Sequence, residues 1–230
     1  MRFYGLIRLS SNTYTAKRRS YFITTLPAMS ATLASVAAPH ALILASSSPY
    51  RQALLTRLRY PFTVSAPNID ETPHRDERPP VTAIRLARQK AIAIAKHHPG
   101  SVVIGSDQVA VCDAQQLGKP GTHARAMAQL QFMRDKTVRF HTAVCVVHSN
   151  GVAYEETDVI TDVRFRDLPD AVLNAYLLAE TPYDVAGSAK AEGLGIVLLE
   201  SVQSDDPTAL IGLPLIALSA MLARAGITLL

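Results

Sequence analysis

Two long strand-like runs, residues 137–148 and 152–166, are joined by Asn150-Gly151. Asn-Gly tolerates positive φ at both central positions of a type I′ turn, so this stretch demands a tight antiparallel hairpin. In the second run Thr157, Val159, Thr161, Val163 and Phe165 alternate with Asp158, Ile160, Asp162 and Arg164, mostly a one-faced pattern. Before the hairpin the chain reads differently. Leu42-Ile43-Leu44-Ala45 and residues 101–111 are apolar strand-like runs, and residues 60–64 form a short one. Between them, residues 81–96 repeat apolar positions at helical spacing, with Ile84, Ala87, Ala91, Ile94 and Ala95 on one face. His97-His98-Pro99-Gly100 stops that helix; adjacent histidines do not share a helix face, so they read as an exposed cap rather than a metal pair. Further helices are predicted from Thr122 as N-cap to about Arg134, over 168–179, and from the Gly212-Leu213-Pro214-Leu215 opening to Arg224. A strand is predicted over 196–200. Strands, helices and one hairpin together predict an α/β fold with a mixed sheet, not a purely parallel one.

Charge is unevenly spread along the chain. Residues 1–40 hold Arg2, Arg8, Lys17, Arg18 and Arg19 and no acidic residue, so the formal net charge of +4 leaves about −1 for residues 41–230. A near-neutral body carries no general nucleic-acid-binding surface. The acid-poor, Ser/Thr-rich segment 1–40 suits a transit peptide or a translation start at Met29, and we read it as a disordered, dispensable extension of a domain over 41–230. No apolar run is long enough to span a bilayer. Cys112 and Cys145 sit in apolar strand-like segments without metal-ligand spacing, which predicts buried free thiols and a cytoplasmic protein. The sequence leaves a homodimer open.

The chemistry-bearing stretch is Ser46-Ser47-Ser48-Pro49-Tyr50-Arg51, which directly follows the first apolar run. Pro49 suits the first position of a helix running on to Leu58, whose unpaired N–H groups and positive dipole end would face the serine turn. Such a turn is either a seat for phosphate or an ordinary serine N-cap, and spacing alone does not decide. Lys90 on the predicted helix and Lys119 in Gly118-Lys119-Pro120 are further cations suited to phosphate, or else solvated surface charges. Asp107 interrupts an apolar strand, where a carboxylate is costly unless it has partners or a task, and Gly105 beside it allows a ligand or another backbone to come close. Glu71, in the proline-bounded loop 67–73, is the second carboxylate suited to a hard divalent cation. There is no Walker A loop and no glycine-flanked serine elbow, which disfavours a P-loop ATPase and a serine hydrolase.

In order along the chain, Ser46-Ser47-Ser48-Pro49-Tyr50-Arg51, Asp70-Glu71, Lys90-Ala91, Gly105-Ser106-Asp107, Gly118-Lys119-Pro120, Gly187-Ser188 with Glu192-Gly193, and Gly212-Leu213-Pro214-Leu215 resemble the Maf family of nucleoside triphosphate pyrophosphatases, over roughly 41–226. The resemblance implies an elongated mixed sheet flanked by helices in two lobes with a deep nucleotide-binding cleft. It implies hydrolysis of the α–β phosphoanhydride, with Asp107 as the proton acceptor and Glu71 and Asp107 holding Mg²⁺ or Mn²⁺. Ser46, Arg51, Lys90 and Lys119 would then grip the triphosphate.

It also implies a choice of base. Members of the family that prefer dTTP and UTP carry Arg, Thr and Gln at three positions where this chain has Tyr50, Gln108 and Glu192. That set resembles the branch acting on 7-methyl-GTP. Methylation at N7 makes the guanine ring system cationic, which suits an aromatic face, and Glu192 can accept from the guanine N1–H and amine while Gln108 adds an adaptable polar contact. The branch usually has Trp where Tyr50 stands, and Tyr is a weaker cation–π partner. The alternatives are a dTTP/UTP or broader pyrophosphatase on the same scaffold, and a non-catalytic nucleotide-binding or division-associated regulator; the presence of both Asp107 and Glu71 argues against the latter.

Overall fold

The computed structural model describes residues 41–148 and 153–230. Both the basic extension and the Asn150-Gly151 turn lie outside the described residues. The chain runs through β1 (Leu42–Ala45), α1 (Pro49–Thr56), β2 (Phe62–Val64), α2 (Pro79–Ala95), β3 (Val102–Cys112) and β4 (Gln115–Leu117). It continues through α3 (His123–Met133), β5 (Thr137–His148), β6 (Ala153–Phe165), α4 (Asp170–Glu180), β7 (Leu199–Ser204) and α5 (Leu215–Arg224). The strands form one seven-stranded mixed sheet in the order β2-β1-β3-β5-β6-β7, with β4 also on β3. The β1–β2 and β1–β3 pairs are parallel, while β3–β5, β5–β6 and β6–β7 are antiparallel. The expected hairpin strands pair from Thr137↔Arg164 to His148↔Ala153.

The two-residue pleat of the strands assigns each helix to a face. Leu42, Leu44, Ile104, Val144 and Val146 point to one face and pack on Leu54 and Leu55 of α1 and Leu218 and Leu222 of α5. Ile43, Val103, Ala143 and Cys145 point to the other and pack on Ala83, Ala87, Ala91 and Ile94 of α2. At the far end of the sheet Ala110, Phe140 and Val163 pack on Leu130 and Met133 of α3 and Leu173 and Leu177 of α4.

The alanines of α2 recur every four residues, so the helix lies directly on β3 at Gly105. A Cβ there would stand 2.1 Å from the Ala87 carbonyl oxygen and 2.7 Å from Ala91 N. Of the two things a glycine beside Asp107 allows, backbone approach is the one realised.

Two local readings need correction. Residues 194–198 are a 3-10 segment, and the strand predicted over 196–200 begins at Leu199. Gly195 sets this limit: it lies against the backbone of Lys190, where a Cβ would meet the carbonyl oxygen at 2.4 Å, so the chain is still folded back on itself there. The three-residue β4 carries no periodicity of its own and was not anticipated; it exists by pairing Leu117 with Ala110 and Gln115 with Cys112. Cys112 and Cys145 are buried and free, as expected. Burial pushes the Cys145 thiol up to about 12, which keeps it protonated and inert. No described helix is long and apolar enough to cross a membrane.

Candidate active site

Along one edge β3 meets β1 only as far as Gly105 and meets β4 only from Ala110 onward. Ser106, Asp107, Gln108 and Val109 therefore keep their β5 partners on one side and have no strand partner on the other. A cavity of about 400 Å³ opens at this gap, lined by the 46–51 turn, by Glu71 and Lys90, by Asp107 and Gln108, by 116–119 and by 184–186. These six segments, separated in sequence, thus reach one place.

The serine turn acts as a helix cap, one of the two roles its sequence allowed. Ser48 is the N-cap of α1, its Oγ accepting from Arg51 N at 3.4 Å, and Ser46 Oγ, deeply buried, accepts from Ser48 N at 3.1 Å. No acidic residue stands in the first turn of α1, so the positive end of its dipole is open to the cavity. Arg51 Nε donates to the Gly212 carbonyl at 2.8 Å, and Ser106 Oγ donates to the same carbonyl at 2.9 Å. Gly212 has φ of +116°, a conformation that glycine adopts without strain, and Arg51 lies against the space a side chain would need. Asp206, buried, holds this turn from the other side. Its Oδ1 accepts from Thr208 and its Oδ2 from Ile216 N at 2.6 Å, capping α5.

Asp107 faces α2, where Lys90 Nζ stands 2.7 Å from its Oδ1 and 3.0 Å from Glu71 Oε2. Lys90 and Asp107 are 5 % and 7 % exposed, so the pair is secluded from water, whereas the Glu71 side chain is more than half exposed. Burial pushes the Asp107 carboxyl above the usual carboxylate range, partly offset by Lys90 and Arg51. Burial likewise lowers the Arg51 pKa, with Asp107 and Glu71 opposing the shift; a guanidinium still keeps its proton. An ammonium has three donors, and the two carboxylates take two of them. The third is available to a phosphate oxygen.

Glu71 is carried by a loop that is clamped to α2. Arg85 Nε and Nη2 donate to the two oxygens of Glu77 at 2.7 Å each, and Nη2 also reaches the Thr72 carbonyl at 3.2 Å. The guanidinium holds the Glu77 carboxyl down at about 2, well below its ordinary 4.5. Because the folded pKa is depressed, this stabilisation is present above pH 4.5 and is lost as pH falls toward 2. Glu77→Gln should therefore lose about 2–3 kcal/mol of stability at pH 7. Urea midpoints of the two proteins should converge between about pH 4.5 and 2, while a constant gap would mean that the clamp does not act through the ionised carboxylate.

The base-reading candidates are placed unequally. Tyr50 and Gln108 line the cavity, and Glu192 does not. Gln108 lies on the face opposite Asp107, and the two protons of its amide nitrogen are shared among Thr142 Oγ1 and the Ala209 and Leu210 carbonyls, all at 2.9–3.1 Å. Only its amide oxygen is left for a ligand. Glu192 stands on an exposed turn braced by Glu180, whose Oε2 accepts from Leu194 N at 3.0 Å. Lys119 is exposed at the cavity mouth. One lining residue escaped the sequence reading: Asp184, whose Oδ2 lies 3.3 Å from Tyr50 Oη.

The cavity lining has three cations, Arg51, Lys90 and Lys119, against three carboxylates, Glu71, Asp107 and Asp184, so it does not by itself neutralise a triphosphate. Among the described residues no group of three or more His, Cys, Asp and Glu side chains forms a metal cage. Yet Glu71 and Asp107 converge on one cationic point and each spends a single oxygen there. Two hard carboxylates that leave further positions to phosphate and water suit Mg²⁺ or Mn²⁺.

The family model for Maf-like proteins matches residues 41–225, which include every cavity residue named above. The chain belongs to the Maf family. This Maf chain is 64 % identical over 195 residues to a 7-methyl-GTP pyrophosphatase of Paraburkholderia xenovorans, covering 84 % of this chain and 95 % of that one. It is 63 % identical over 186 residues to one of Cupriavidus metallidurans (81 % and 94 % covered) and 61 % identical over 181 residues to one of Ralstonia nicotianae (79 % and 93 %). Among solved structures, a HAM1 protein from Coxiella burnetii aligns with a TM-score of 0.44 at 21 % identity, covering 56 % of this chain and 75 % of that one. That likeness is too distant to transfer any residue, and the Maf assignment stands without it.

Proposed function

We propose that this Maf protein hydrolyses 7-methyl-GTP to 7-methyl-GMP and diphosphate, removing a modified nucleotide from the cytoplasmic pool. The observation that carries the reading is the secluded Asp107–Lys90 pair set beside the open N-terminus of α1, in one cavity with Tyr50. Simple binding needs no buried carboxylate with a raised pKa, whereas general-base chemistry does.

Water attacks the α-phosphorus and gives its proton to Asp107. The bond to the oxygen bridging the α- and β-phosphates breaks, and its electrons leave with diphosphate. Arg51, Lys90, Lys119 and Ser46 hold the triphosphate and stabilise the charge that builds on the leaving group. Glu71 and Asp107 would hold a divalent cation, which would supply neutralisation of phosphate charge. Tyr50 stacks on the base. No nucleic acid or membrane partner enters this reading.

Release of pyrophosphate, measured over a panel of nucleoside triphosphates with Mg²⁺ or Mn²⁺, tests it. The expected outcome is the highest kcat/KM for 7-methyl-GTP and none without the cation. A clear lead for UTP or dTTP overturns the substrate assignment.

A further inference from the structure

We propose that Asp184 is the carboxylate that selects a cationic base at Tyr50, a role that rests on the 7-methyl-GTP reading above. Three carboxylates line the cavity, and two of them, Glu71 and Asp107, are engaged by Lys90 at the phosphate end. Asp184 is the third. It accepts from the Tyr50 hydroxyl at 3.3 Å, its side chain is 60 % exposed, and it lines the cavity.

Its surroundings keep that charge in play. Lys190 Nζ stands 4.0 Å from Asp184 and 3.7 Å from Glu180, one ammonium between two carboxylates, which leaves the trio one negative charge in excess. The same Nζ lies over the Tyr50 ring at 5.9 Å from its centre, which directs an incoming base to the opposite face. Burial works against the Lys190 charge, but Tyr50, Asp184 and Glu180 hold its pKa above the ordinary value, so the ammonium is a fixed part of the arrangement.

The chemistry of the substrate explains why a carboxylate is wanted there. Guanine and 7-methylguanine share their Watson–Crick edge donors, and they differ by a methyl group and a positive charge on the imidazole ring. Hydrogen bonds to N1–H and the amine tell them apart only indirectly, through the greater acidity of those donors in the cation. A tyrosine face does so only weakly. A carboxylate at the rim of that ring distinguishes them by charge. Asp184, in the cavity lining beside Tyr50, suits that role.

The test compares kcat/KM for 7-methyl-GTP and for GTP in wild type, Asp184→Asn, Asp184→Glu and Tyr50→Phe. Asp184→Asn keeps the size and a hydrogen-bond acceptor and removes only the charge. Its preference for 7-methyl-GTP should fall about tenfold, through KM more than kcat, and Asp184→Glu should recover part of it. Added salt should shrink the wild-type preference and leave that of Asp184→Asn nearly flat. Tyr50→Phe, which loses the hydroxyl but not the ring face, should keep most of the preference. An unaltered ratio in Asp184→Asn overturns the proposal, and so does a Tyr50→Phe protein as indiscriminate as Asp184→Asn, because Asp184 would then act only by orienting the ring. A wild-type enzyme with no preference for 7-methyl-GTP over GTP overturns the substrate reading itself, so the two failures are separable.

Discussion

Asp107→Asn should lower the rate of pyrophosphate release by about 10²–10⁴-fold and leave a folded protein that still binds nucleotide. The asparagine oxygen can still accept from Lys90 Nζ, now 2.7 Å from Asp107 Oδ1, so the geometry of the pair survives, but an amide takes no proton from water. Binding should persist, because Ser46, Arg51, Lys90 and Lys119 remain in place to hold the triphosphate. Stability should not suffer. The folded pKa of Asp107 lies above its ordinary value, so its ionised form is disfavoured by the fold, and this contribution turns unfavourable as pH rises through that pKa. At neutral pH the asparagine protein should melt at the same temperature as wild type or higher. Single-turnover release and calorimetric titration with nucleotide and Mg²⁺ check both halves. A variant within tenfold of the wild-type rate removes Asp107 from the role of base.

Gly105→Ala should be the most damaging single-methyl change in the sheet, at a cost of about 3 kcal/mol. The added carbon would sit 2.1 Å from a main-chain oxygen of α2 and 2.7 Å from a main-chain nitrogen, and neither can rotate out of the way. The helix must retreat as a body. Lys90 sits on that helix between Ala87 and Ala91, the residues that meet the new methyl, so its contact with Asp107 should lengthen and activity should fall with stability. Urea unfolding and kcat/KM measured on the same preparation are the check. A midpoint equal to that of wild type would show that α2 has slack at this contact.

What could be read from the residues follows from the range of the interactions involved. Helix α1 was legible because its signals are local: a proline at N1 and a serine before it. The stripe Ala87, Ala91, Ile94 and Ala95 announced the buried face of α2 for the same reason. The antiparallel pair β5–β6 was legible from two long runs, the second of them alternating, joined by an Asn-Gly turn signal. β4 was not, because three residues carry no period and pair only where β3 happens to run past. Ser46, Arg51, Lys90, Asp107 and Lys119 were found as chemically suitable residues with bland alternatives, and it took the family pattern to connect them. Their convergence depends on contacts such as Lys90 with Asp107, which no spacing rule encodes. Asp184 lay furthest out of reach. It follows a helix as an unremarkable exposed acid, and only the fold carries it 134 residues back to Tyr50.

The gap in the edge of β3 has a consequence for the behaviour of the protein at high concentration. An open strand edge is a template on which another chain can add a strand, and long exposed edges invite aggregation. Here the open stretch is Ser106–Val109, closed off by β1 at one end and by β4 at the other. Four residues between two fixed strands are too few to seat an invading strand, yet enough to present Asp107 and Gln108 to a small ligand. This gap thus keeps main chain bare for chemistry without giving an invading strand room to pair.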